Sequence, residues 1–117
     1  MVCKYSTGPL NNLTVNGKLV SKNIIVNSIN LHQRNMAKVK INVYALNGKR
    51  KLIRTVTLRV KPNSSTFTIL NVSTAMQYEV QFITNQPRVL FASFGISPKD
   101  RYVAAHRVVN SELTRIV

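Results

Sequence analysis

A chain of 117 residues with 44% apolar side chains and a mean hydropathy close to zero has the size and composition of one globular domain, which excludes a disordered tail and a bundle of membrane spans. Seventeen Lys and Arg stand against three acids, Glu79, Asp100 and Glu112, a formal charge of +14. Such a surface attracts polyanions, or else keeps a β-rich protein soluble and its sheet edges apart. One cysteine, Cys3, excludes an intramolecular disulfide, and with only two histidines the chain offers no ordinary metal shell.

Residues 1–12 hold Ser6, Thr7, Gly8, Pro9 and a double Asn, which predicts a flexible N-terminal arm or connector ahead of a single domain over 13–117. The N-terminus lacks the apolar core of a classical signal peptide. Leu13, Val15 and Leu19 alternate with polar residues as in a half-buried strand, although Asn16-Gly17 also suits a tight turn. A strand follows over 23–31. The clearest signal is Val39, Ile41, Val43 and Ala45 alternating with Lys38, Lys40, Asn42 and Tyr44, stopped by the hairpin pair Asn47-Gly48. Beyond it Leu52, Val56, Leu58 and Val60 share one parity, which Arg54 interrupts, placing Arg54 near a sheet rim or an intermolecular contact rather than in the centre of a core.

Pro62, Asn63 and Ser64 end that strand. Phe67 and Ile69 are the expected inner side of 66–72, and Tyr78, Val80 and Phe82 that of 77–84. Over 88–96 both parities are apolar, so this strand is expected to be covered on both faces. Its second side, Leu90, Phe94 and Ile96, then calls for cover from the C-terminus or a neighbouring subunit. Segments 102–109 and 112–116 bring the total to about eight strands with no helix. The fold class is all-β: an antiparallel two-sheet sandwich, jelly-roll-like.

Chemistry finds little footing. Asp100, His106 and Ser111 are the nearest approach to a hydrolytic set, in an order and spacing that match no triad. Three acids leave no paired-carboxylate mechanism. The expectation is a non-enzymatic protein without a cofactor. Lys38, Lys40, Lys49, Arg50 and Lys51 are the candidate polyanion contacts, for nucleic acid or acidic polysaccharide, while few aromatics and no Trp argue against a base-stacking platform.

Val39-Lys40-Ile41-Asn42-Val43, Asn47-Gly48, Thr55-Val56-Thr57, Pro62-Asn63-Ser64-Ser65, Tyr78-Glu79-Val80-Gln81-Phe82 and the stretch from Ala105-His106-Arg107-Val108 to Ser111-Glu112-Leu113-Thr114 resemble small β-sandwich proteins of spore-forming Firmicutes. The resemblance covers residues 39–117. The Pro-x-Ser-Ser pattern is also similar to endospore-appendage subunits, jelly-roll proteins that stack into fibres through a cysteine-bearing N-terminal connector; Cys3 is the one matching cysteine. This implies a structural protein that self-assembles at a bacterial spore or cell surface, with Cys3, Leu90, Phe94 and Ile96 as assembly contacts. The alternatives are a basic polyanion-binding module, which would otherwise be cytoplasmic, and a phage or virus coat component.

Overall fold

The computed structural model describes residues 2–117. In chain order its strands are β1 (Cys3–Ser6), β2 (Leu10–Asn11), β3 (Asn23–Asn30), β4 (Ala37–Leu46), β5 (Arg50–Val60), β6 (Ser64–Asn71), β7 (Gln77–Thr84), β8 (Val89–Ile96), β9 (Tyr102–Val108) and β10 (Thr114–Arg115), with a short 3-10 turn at Asn110–Glu112. They form two antiparallel sheets packed face to face. One runs β10-β1-β7-β4-β5, with β2 also paired to β7; the other runs β6-β3-β8-β9. This is the expected two-sheet sandwich. It has ten strands because β1 and β2 form within the segment read as an arm, both too short to alternate visibly.

The core lies between the sheets and is built by the alternation that marks the strands. Val39, Ile41 and Val43 of β4, Val80 and Phe82 of β7, Ile24 and Val26 of β3 and Phe91 of β8 are buried together. β-Branched side chains dominate because they pack well on a pleated surface. Phe82 stacks on Phe91 across the sandwich, ring centroids 4.7 Å apart. The β4–β5 hairpin closes where expected, with Leu46 opposite Arg50 and Gly48 at φ 89°.

Three expectations are corrected. Segment 1–12 is not a flexible arm: β1 lies between β7 and β10, with Cys3 opposite Thr84 and Tyr5 opposite Phe82. Ser6 Oγ donates to Glu79 Oε2 at 2.5 Å, and Tyr5 packs on the core. Met1 of that segment lies outside the described residues. On β5, the register jumps from Val43 opposite Arg54 to Tyr44 opposite Leu52, so Ile53 is a bulge residue. It turns Ile53 onto the core and leaves Leu52 exposed. Arg54 lies exposed on this edge strand, at the rim.

The third correction concerns β6. Phe67 and Ile69 point outward, 60% and 53% exposed, while Thr66, Thr68 and Leu70 take the inner side. Pairing with β3 sets this parity: Thr68 stands opposite Val26, which faces the core, and Ile69 opposite Ile25, which faces out. Residues 13–19 hold only a bridge between Leu13 and Leu19 around the Asn16-Gly17 turn, with Gly17 at φ 77°. The C-terminal segment adds the 3-10 turn and β10 where one strand was expected.

Candidate interaction surfaces

Asp100, His106 and Ser111 are not brought into a working set. Asp100 sits exposed in a turn at φ 62°, and Ser111 lies exposed in the 3-10 turn. His106 is engaged elsewhere: Ser21 Oγ lies 2.6 Å from its Nδ1, and its Nε2 lies 2.6 Å from the Asn11 carbonyl oxygen. A carbonyl only accepts, so Nε2 carries the proton and Nδ1 accepts from the Ser21 hydroxyl. Asn12 completes the knot, accepting from Ser21 N–H at 2.8 Å and donating to the carbonyls of Ser21, Val72 and Ala75.

The Ser21–His106 pair has the atoms of a nucleophile and base but not the access. Ser21, His106 and Gly95 are all buried, and a Cβ at Gly95 would collide with Ser21 Oγ and His106 Cβ. No reacting carbonyl fits where a methyl group does not. The pair works as an internal tie that fastens the 11–21 segment to β8 and β9. Among the described residues no three His, Cys, Asp or Glu side chains converge as a metal set would.

The predicted assembly residues divide. Cys3 is 1% exposed on the inner side of β1, with the Arg115 guanidinium donating toward its Sγ at 3.6 Å. A bridge to another chain would require β1 to leave the sheet. Leu90, Phe94 and Ile96 share the outer face of the four-stranded sheet, as their parity requires. They have unforeseen company. Ile69, Ile25 and Phe94 stand in one row across β6, β3 and β8; Phe67, Asn27 and Ala92 in the next; Ser65, Ile29 and Leu90 in a third. Tyr102 of β9, 73% exposed, stands opposite Ile96 and meets Phe94 edge-on at 6.1 Å.

Asn27 and Ala92, the small side chains of the middle row, leave two depressions in this face. One of about 560 Å³ lies between Phe67, Ile29 and Leu90, and one of about 440 Å³ between Ile25, Phe94, Tyr102 and Arg107. No charged residue occurs in β3, β6 or β8, and Arg107 is the cation of β9. A chain whose other cations lie elsewhere thus leaves a largely apolar face uncovered, the usual mark of a contact surface.

The five predicted polyanion residues do not form one patch. Lys38 and Lys40 stand on the outer face of the other sheet, near the start of β4, whereas Lys49 lies in the hairpin loop. The strand between separates Lys40 from the loop by about 20 Å and Lys38 by about 26 Å at ~3.3 Å per residue. Arg50 is held by Glu79, Nε to Oε1 3.2 Å, and lies 4.2 Å above the Tyr44 ring. Lys51 pairs with Ala45 on the opposite side of β5 from Arg50. In place of that cluster, strand order assembles another. Lys4, Ile83, Lys40 and Thr57 form one row across β1, β7, β4 and β5, and Lys38 beside Arg59 forms the next. Lys4 and Arg59 could be found only by knowing which strands are neighbours.

No helix among the described residues is long and apolar enough to cross a membrane. No protein-family model and no curated protein matches the sequence. Among solved structures, the crystal structure titled Thermotoga maritima 1070 superposes with a TM-score of 0.57 at 16% identity, over 97% of this chain and 90% of that one. The similarity extends through both sheets and speaks to the fold alone.

Proposed function

We propose that this protein is a non-enzymatic structural module that self-associates through its four-stranded sheet, in which β3, β6 and β8 carry no charge, building a fibre or layer at a bacterial cell or spore surface. The observation that carries this is the outer face bearing Phe67, Ile69, Ile29, Leu90, Phe94 and Tyr102. Complete burial of a large apolar side chain is worth about 1.5–3 kcal/mol, so covering the exposed parts of Phe67 and Ile69 stabilises a contact by roughly 1–1.5 kcal/mol each. Charge favours this face as the contact between copies. The cations of the other sheet's outer surface stand at least a sheet spacing of about 10 Å behind it, further than the ~8 Å Debye length at physiological salt. Electron microscopy of the full chain at physiological salt should reveal ordered fibres, layers or shells. Leu90→Lys, which puts a charge on this face beside Ile29, should disperse them. Uniform monomers at every salt concentration would overturn the proposal.

A second reading, polyanion binding, is favoured by Lys4, Lys38, Lys40 and Arg59 on the opposite face, where the one acid of β7, Glu79, is two rows away and engaged by Arg50 and Ser6. Lys4 and Lys40 are two strands, about 10 Å, apart. If this face binds nucleic acid, each phosphate contact contributes about −0.7 to −0.9 to the slope of log K against log salt. Changing the four residues to Ser should flatten that slope by about 3. An unchanged slope would remove this face from consideration.

A further inference from the structure

We infer that the free edge of β6 is a strand-addition site at which a second copy of this chain pairs, antiparallel and about a twofold axis, to make one continuous eight-stranded sheet. This rests on the self-association proposed above and gives it a geometry. Edge strands expose unpaired N–H and C=O groups, and proteins usually blunt them with charge, proline, bulges or short length. Three edges of this sandwich are blunted. β5 carries Arg50, Lys51, Arg54 and Arg59 and the bulge at Ile53. β9 loses register between Ser93 and Gly95 and carries Arg107. β10 has two residues.

β6 has none of these devices. All eight residues, Ser64–Asn71, pair in unbroken register with β3, without charge, proline or bulge. Among the described residues, its backbone makes no hydrogen bond beyond that ladder. Because an antiparallel strand turns alternate residues to alternate neighbours, about four N–H and four C=O groups point off the sheet. Their occupant must be an extended strand.

Charge identifies that strand as another β6. Residues 62–78 carry no charged side chain, and β3 behind them carries none. Antiparallel pairing centred on Thr68 sets Phe67 opposite Ile69 of the second copy on the outer face and Thr66 opposite Leu70 on the inner. Lys61, just before the strand, meets only the uncharged stretch beyond Asn71. Along β6 itself, a surface of +14 therefore has a strand edge where two copies pair without opposing cations. The contact is self-complementary, as a twofold interface requires, and it makes the two apolar outer faces continuous.

Backbone amide exchange separates edge pairing from face packing, because it reads hydrogen bonds and not side-chain cover. Exchange is measured on the full chain, once diluted to monomer and once associated at raised salt. Alternate amides of β6, fast in the monomer, should slow by at least tenfold on association, while the β5 edge stays unchanged. The double change Phe67→Lys with Ile69→Lys, at two exposed sites, should stay monomeric with an unaltered fold. Association with β6 amides still exchanging as in the monomer would overturn edge pairing and leave self-association standing. A chain that never associates would overturn both.

Discussion

Ser21 and His106, 85 positions apart, are joined by a 2.6 Å hydrogen bond over which Gly95 closes without space for a methyl group. The bond ties the loop before β3 to the last strand of the four-stranded sheet. Gly95→Ala forces that tie apart, and overpacking of this kind costs about 1–3 kcal/mol. With urea m-values of about 1–3 kcal/mol/M for small domains, the denaturation midpoint should fall by about 1 M. Ser21→Ala leaves a buried imidazole nitrogen without its partner and should cost about 1–3 kcal/mol. Two midpoints equal to the parent's would show that the tie contributes nothing to the fold.

Tyr78 supplies a pH dependence. Its hydroxyl is buried without a hydrogen-bond partner among the described residues, and burial holds its pKa well above the usual phenol range. Below pH ~10 the folded and unfolded chains both keep this proton, so the group adds no slope. Above it the unfolded phenol ionises while the folded one does not. Stability then falls as pH rises, by up to ~1.4 kcal/mol per unit, until the folded group also titrates. Tyr78→Phe lacks this term. In urea denaturation it should gain about 1 kcal/mol on the parent between pH 9 and pH 11; parallel pH profiles would contradict the burial of that hydroxyl.

The N-terminal strand should be indispensable. Removing residues 1–10 strips β7 of its neighbour on one side and the core of Tyr5, so the truncated chain should be unfolded by circular dichroism. Tyr5→Ala alone should cost about 2–3 kcal/mol, at or below the usual range for large aromatics because Tyr5 is only half-buried. Cys3, buried in the same strand, should react with a thiol reagent at least a hundredfold more slowly in the native protein than in urea. A folded truncation with a promptly reactive thiol would restore the flexible arm.

What could be read beforehand was whatever depends on neighbours in sequence. The Lys38–Ala45 alternation and Asn47-Gly48 gave a strand and its turn, and the two apolar parities of β8 revealed that Leu90, Phe94 and Ile96 face outward from the core. What could not be read depends on pairing. β1 is four residues without a strong period, and it is a strand because β7, more than seventy positions later, accepts it. β6 offers Thr on one side and Phe and Ile on the other; hydrophobicity chose the wrong side because β3 fixes the parity. One bulge at Ile53 reversed the side of Leu52, and Lys4 and Arg59 joined Lys38 and Lys40 only through strand order.

The sign of the salt effect separates the two proposed surfaces most directly. Sedimentation velocity of the full chain at fixed concentration, from about 10 mM to about 300 mM NaCl, spans Debye lengths from roughly 30 Å to below 8 Å. If copies meet on the outer face of the four-stranded sheet, salt only screens repulsion between their +14 surfaces, so the associated fraction should rise steadily with salt and Leu90→Lys should hold the chain monomeric throughout. A single monomeric boundary at every salt concentration, or association that dissolves as salt is added, would contradict self-assembly through this face.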